Sequence, residues 1–425
     1  MTAEFVDASA PRGSRRIIAV LLLISPLDQI GFDLYAPAMP IISDEFDVGN
    51  AVVQNTVTVY LLGMTLVVLP AGLLADALGR KRLLLTGLSV VALTGVGCAV
   101  ARSIDVMLLL RFVQGIGAGT CLLLAATIAA DCFRGARLVS VLGMLGAAWG
   151  AAPVLAPAIG GFVVEFASWR WVFALLATIA ALLAIAVAAA LPETLPPGRR
   201  APVDLRESRL VIGDAIRHPV FVAFVTMFGL VAAAQSMFGV VAPFLYQDLF
   251  GFSAGQYGVI ALVVGTANLL GAMTCGWLAQ RMQARTLALV AWALLVAGAL
   301  ILALTARQFG DAAWLVVTGG GALMMLGIGV LDPLTKGFAM GVFTRHVGLL
   351  TGLITAICYL FTTGAMALVA YLPETSAAPM AWCCLAIALV LIVLMVTSVS
   401  RPAHSHRMGS LRSALCDGDA VRAEG

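Results

Sequence analysis

Three charged side chains stand well away from the ends of long apolar runs of this chain: Asp28 and Asp33 in the run from 17 to 42, and Arg111 in the run from 105 to 130. A charge at mid-bilayer costs about 2.5–3.5 kcal/mol on insertion scales, so a sequence that keeps such residues uses them. Arg111 lies six residues from Asp105, and Asp33 seven from Pro40. At the α-helical rise both sit about 10 Å from the same ends of their helices. An Asp beside an Arg at one depth can hold or release a proton as contact and hydration change, which is what a proton carrier needs. A static ion pair that locks two helices is the competing reading. Asp28 precedes Asp33 by five residues, about 140° away around a helix, so the two cannot form a dyad. It either faces a cavity as a second protonation or cation site, or is satisfied by a helix neighbour.

The elements that must position these residues are membrane spans. Of 425 residues, 61% are apolar and 11% charged, whereas about a quarter of an ordinary soluble protein is charged. Apolar runs fall at 17–42, 51–75, 83–101, 105–130, 138–166, 171–191, 219–247, 256–280, 286–306, 312–335, 347–371 and 379–399. A dozen spans consume about 240–300 residues and leave no room for a large soluble domain. The fold class expected is an all-α membrane protein with twelve transmembrane helices in two six-helix halves. The halves are 1–191 and 219–399, joined by a polar cytoplasmic linker at 192–218 and followed by a disordered cytoplasmic tail at 400–425. The first run is too long for a signal-peptide core, so it reads as a retained span in a chain that starts near Met1.

Alternate connections carry 21 of the 25 Lys and Arg on one face, against Arg102, Arg170 and Arg307 on the other. This places the termini and the linker in the cytoplasm. The net charge of +3 is a topogenic signal and implies no nucleic acid or acidic partner. Trp169, Trp171, Trp314 and Trp382 fall at outer ends of runs as an interfacial belt. The segment 72–82 recurs in weaker form at 276–285, which supports a six-plus-six repeat.

Further candidates are polar, aromatic or conformational. Tyr35, Asn55, Tyr60, Trp149, Gln235, Tyr246, Asn268 and Tyr359 lie within spans and could line a substrate cavity. Pro153, Pro157, Gly160 and Gly161 serve either close helix packing or a hinge. Asp332 precedes Lys336 by four residues, the spacing of a local helical pair. The four histidines, His218, His346, His404 and His406, fall in cytoplasmic segments, which excludes a buried histidine relay or an intramembrane Ser–His protease. No phosphate-cradling GxxxxGK[ST] loop occurs, so the energy source expected is an ion gradient. The eight cysteines have no ligand-like spacing, and neither disulfide, metal, cofactor nor enzymatic activity is expected.

Gly72, Asp76, Gly79 and Arg80, the run Arg111 to Gly115, the embedded Asp33 with Pro37 and Pro40, and Pro153, Pro157, Gly160 and Gly161 together resemble the motifs of one family. It is the drug/proton antiporter branch of the major facilitator superfamily, of the bicyclomycin and chloramphenicol resistance type. Ser168 to Phe173, Leu191 to Leu195 and Pro243 to Gln247 are similar to further hallmarks of that branch, so the likeness covers nearly the whole length. The resemblance implies the major facilitator fold and a gate at Gly72, Asp76, Gly79 and Arg80, in which Asp76 and Arg80 form a charge lock. It also implies proton coupling through Asp33 and Arg111, and an antiporter motif around Pro153 to Gly161 that goes with export. Asp28 matches no position of the pattern, and Asp332 stands where relatives are usually uncharged. The function expected is proton-coupled efflux of small, lipophilic molecules by alternating access of a monomer. The alternatives are export of a specific metabolite or siderophore, or proton-coupled import of a metabolite. The single cavity Arg and the Pro/Gly-rich fifth span weigh against import.

Overall fold

The computed structural model describes residues 11–195, 205–305, 313–343, 347–371 and 377–399. The tail at 400–425, the middle of the linker, Arg307, His346, His404 and His406 lie outside the described residues. Twelve segments are long and apolar enough to cross a membrane, and no strand occurs among the described residues. A bilayer leaves a chain no other way to satisfy its backbone short of a closed barrel.

The first span is not one helix. It runs as α1 (Pro11–Ile24), α2 (Leu27–Asp33), a 3-10 turn (Ala36–Ala38) and α3 (Met39–Phe46). Pro26, Pro37 and Pro40 remove backbone donors at each break. Freed polar groups then find partners on neighbours: Ser25 Oγ donates to Leu145 O at 3.0 Å, and Gln247 Nε2 to Pro37 O at 2.9 Å.

The next five spans are α4 (Asn50–Leu78), α5 (Arg80–Ala99), α6 (Ile104–Cys132), α7 (Gly135–Phe166) and α8 (Arg170–Ala190). A short helix inside the expected linker, α9 (Leu205–Arg217), precedes α10 (Pro219–Phe244). The remaining spans are α11 (Ala254–Leu278), α12 (Ala284–Thr305), α13 (Ala313–Gly341), α14 (Val347–Val369) and α15 (Ala378–Val399). His218 Nδ1 accepts from Phe221 N at 3.4 Å and so caps α10.

Three expectations need correction. The stretch 76–82 left between the runs 51–75 and 83–101 is no loop: α4 continues through Asp76, and Gly79 alone, at φ +99° and ψ 149°, turns the chain into α5. A residue with a Cβ is strained in that conformation. Trp169 is no interface anchor; it is 2% exposed, its indole N–H bonds Glu45, and its ring lies 6.0 Å from Phe173. Trp171 and Trp382, 63% and 59% exposed, do face outward. Asp332 and Lys336 both lie within α13 and interact electrostatically, but not at salt-bridge distance; the Lys336 ammonium sits 5.5 Å from the ring centroid of Phe228.

Spacing between helices is set by small residues. On α7, an added Cβ at Gly160 would stand 1.8 Å from Leu34 O, and one at Gly161 would stand 2.4 Å from Ala254 O. Gly258 and Gly265 of α11 meet the backbone of α7 around Pro157 and Pro153 in the same way. Close approach of this kind is how helices associate where lipid gives no hydrophobic drive. Toward the face that carries the Gly79 corner, the same pair loosens: Gly143 and Gly146 of α7 and Gly276 of α11 meet nothing within 4 Å. At the opposite face the closure is polar as well, with Gly255 N donating to Glu165 Oε2 at 2.9 Å and Asn50 Nδ2 to Asp248 Oδ2 at 3.2 Å.

Candidate functional site

A cavity of about 650 Å³ of empty space, mouth included, lies among α2, α7, α10, α11 and α13. Its wall holds one carboxylate, Asp33, and no basic side chain; Gln29, Gln235, Ser236 and Asn268 are the polar lining, and Phe32, Phe238, Tyr246 and Tyr257 the aromatic. Pro153 and Pro157 also face it. Asp33 is 7% exposed, and its Oδ2 accepts from Gln29 Nε2 at 2.7 Å. The pair are four apart on α2, hence on one face. Such a surface can hold a small lipophilic body against rings and a Met325 thioether while amides and the carboxylate orient it.

Asp33 and Arg111 are near in depth but are not partners. Arg111 is fully buried and donates from Nη1 to Gly31 O at 3.0 Å and to Gln114 Oε1 at 2.7 Å. Its guanidinium carbon lies 4.4 Å from the ring centroid of Tyr35 and 4.2 Å from that of Tyr60, with Phe173 at 5.9 Å. Its charge is thus held by carbonyl, amide and ring faces. Gly31 and Asp33 are two residues apart, about 200° around a helix, so the guanidinium meets one side of α2 and the carboxylate leaves from the other.

This box explains where two expected cavity residues went. Tyr35 and Tyr60, each 1% exposed, are walls of the Arg111 site; the Tyr35 hydroxyl is bonded to Thr56 Oγ1 at 2.8 Å, and that of Tyr60 donates to Asp28 O at 2.8 Å. Trp149 and Tyr359 do not line the cavity either; both donate to Asp28 Oδ2, at 3.2 and 3.0 Å. Asn55 is half-buried on α4 and is not in the lining. Gln235 and Asn268 do line it, and Asn268 Nδ2 is tied to Met325 O at 3.3 Å. Gln29 was readable from its spacing to Asp33; Tyr257 and Met325 carry no such signal.

Arg111→Lys is therefore expected to destabilise the protein although charge is kept. A lysine has no planar guanidinium to lie flat between two rings, and a desolvated cation–π contact is worth about 2 kcal/mol. Unfolding in detergent should show a loss of about 2–4 kcal/mol. A Lys variant as stable as the parent would refute the stacked arrangement.

The residues expected to form a gate lie together. Arg80 Nη2 lies 2.7 Å from Asp76 Oδ1, and Arg80 Nε lies 3.1 Å from Asp131 Oδ2. Asp131 in turn accepts from Thr194 Oγ1 at 3.0 Å. Glu193 Oε1 receives the backbone N–H of Arg80 at 2.9 Å and of Leu195 at 3.1 Å, an anion at the N-terminus of α5. Gly72 lies on α4 four residues before Asp76, and Gly79 is the corner itself. Asp131 and Glu193 were not assigned to it in the sequence, because pairing between distant segments leaves no local pattern.

A solved D-xylose–proton symporter has the same fold, with a TM-score of 0.74 at 14% identity over 91% of this chain and 97% of that one. An uncharacterised MFS-type transporter of Bacillus subtilis, YdgK, is 28% identical over 375 residues, 87% of this chain and 92% of its own. The multidrug resistance protein MdtL of Shewanella oneidensis is 28% identical over 342 residues, 79% of this chain and 85% of its own. The model of the Major Facilitator Superfamily matches residues 21–360, and with twelve spans around a central cavity the chain belongs to that superfamily of membrane transporters.

Proposed function

We propose that this chain is a proton-driven exporter of small, lipophilic molecules, of the drug/proton antiporter branch, working by alternating access. The observation that carries the reading is Asp33: one buried carboxylate, with no basic neighbour in the lining, on the wall of the cavity. A proton and a substrate that favour different arrangements of the same cavity are coupled without covalent chemistry. Two six-helix halves, 1–191 and 219–399, rock about the site, with the linker, both termini and the tail cytoplasmic in the inner membrane. Arg111 fixes the far side of α2, so that Asp33 moves with a rigid neighbour. Asp76 and Arg80, framed by Gly72 and Gly79, lock one arrangement. The segment with Pro153, Pro157, Gly160 and Gly161 seals α7 against α11 and α2. One chain encloses the cavity, which suits a monomer. The printed description of MdtL as a multidrug resistance protein supports export of drug-like molecules.

The test is transport into inverted membrane vesicles with an imposed pH gradient, against cationic, neutral and anionic compounds. At least one lipophilic compound should accumulate and draw down the gradient, and a protonophore should abolish both effects. If no compound moves the gradient, the export reading falls.

A further inference from the structure

Asp28 is the buried acid that the cavity leaves unused. It is 2% exposed, and neither it nor its two donors, Trp149 of α7 and Tyr359 of α14, lines the cavity. Both donors converge on Oδ2, at 3.2 and 3.0 Å, while Oδ1, equally buried, has no hydrogen-bond partner among the described residues. The titratable groups facing Asp28 are Tyr60 of α4, Cys121 of α6, Tyr359 of α14 and, five residues along its own span, Asp33. From α7 comes only the Trp149 indole. Arg111, the buried guanidinium on α6, is taken up by Gly31 O, Gln114 and two tyrosine rings. The carboxylate therefore has no cation; its donors are the Trp149 and Tyr359 side chains and the backbone N–H groups of Asp28 and Gln29 at the start of α2, and Oδ1 keeps no partner at hydrogen-bond geometry. One of those donors arrives from the far side of the linker, where α14 runs beside α4 and Thr65 meets Thr363 at 3.5 Å.

We infer that Asp28 is a second proton-binding site of the transport cycle, whose occupancy is tied to the contact between α2 and α14 through the Tyr359 hydroxyl. This deepens the proton-driven reading above and rests on it. A buried polar atom without a partner is expensive, and a carboxylate in a dry interior survives only while its donors stay. When α14 moves away from α2, Tyr359 leaves with it, and Asp28, short of that donor, takes a proton. When α14 returns, the hydroxyl bonds Oδ2 again and the proton is released. Proton binding and helix contact bias each other reciprocally, as linkage requires. The cycle then exchanges two protons, one at Asp33 and one at Asp28.

The test needs no substrate. Infrared difference spectra of purified protein between acid and alkaline pH should retain a carboxylic-acid C=O band in Asp33→Asn, which vanishes when Asp28→Asn is added. Spin labels on Leu74→Cys of α4 and Leu360→Cys of α14, exposed positions, should report a pH-dependent distance in the Asp33→Asn background and a fixed one with Asp28→Asn. A band or a distance change that survives Asp28→Asn overturns the inference. Should that variant not fold, Tyr359→Phe keeps the carboxylate and the ring; it should shift the pH midpoint of the band by about one unit, and an unmoved midpoint overturns the inference as well. Neither readout depends on transport, so failure of the export reading in vesicles is distinguishable from failure here.

Discussion

Asp33→Asn is expected to abolish gradient-driven transport while leaving the protein folded and able to exchange substrate across the membrane. Asn has the shape of Asp, and its carbonyl can accept the Gln29 N–H that Asp33 accepts at 2.7 Å. No charge is left stranded, since Asp33 has no basic partner to orphan, so stability should change by less than about 1 kcal/mol. What disappears is the proton site on the cavity wall, the one a substrate in the cavity meets; Asp28 lies outside the lining. Accumulation driven by a pH gradient in vesicles should fall to the level of vesicles without the protein, whereas counterflow of labelled against unlabelled substrate continues. The split between the two assays separates a coupling residue from a structural one. Normal gradient-driven accumulation in this variant would sink the proposal that Asp33 carries the proton.

The sequence located the ionisable residues correctly because a charge in an apolar run is visible without any structure. Their partners were less legible. Depth along a helix follows from counting residues, and Arg111 does reach α2 beside Asp33, at Gly31 O. Azimuth is what failed: a first span read as one helix is broken at Ser25–Pro26 and again before the 3-10 turn at Ala36, so the direction of each side chain resets along it. The aromatic residues show the same limit. Tyr35, Tyr60, Trp149 and Tyr359 were read as cavity walls from polarity inside spans, and they instead satisfy the two buried charged groups that do not face the cavity, Arg111 and Asp28. Such residues are needed wherever a charge is buried, and composition cannot say which charge each one serves. The cluster around Arg80 was half legible. Asp76 and Arg80, four apart on one chain segment, are a local pair, but Asp131 and Glu193 join through tertiary contact alone.

Packing around the site yields the other large effect. Gly160→Val should destabilise the protein by more than the about 1–3 kcal/mol typical of overpacking, and should impair transport beyond that loss. An ideal Cβ at Gly160 stands 1.8 Å from Leu34 O, a backbone atom that cannot rotate away as a side-chain tip could. Leu34 lies between Asp33, on the cavity wall, and Tyr35, a wall of the Arg111 box; moving it disturbs both. Gly143 and Gly146 lie on the same helix but meet nothing within 4 Å. Substituting Ala there should be neutral to stabilising, since Ala exceeds Gly in helix propensity by about 1 kcal/mol. A hinge reading of this helix predicts the reverse ordering, in which the unpacked glycines govern the transport rate and Gly160 tolerates substitution at little loss of stability. Unfolding in detergent and vesicle transport, measured on Gly160→Ala, Gly160→Val, Gly143→Ala and Gly146→Ala, decide between the two. If Gly160→Ala matches the parent in stability, the close contact with Leu34 is not what holds α7 against the first span. If it falls while Gly143→Ala does not, the Pro/Gly-rich segment acts as a strut that fixes α2 at the cavity, and the flexibility of α7 belongs to its loose end.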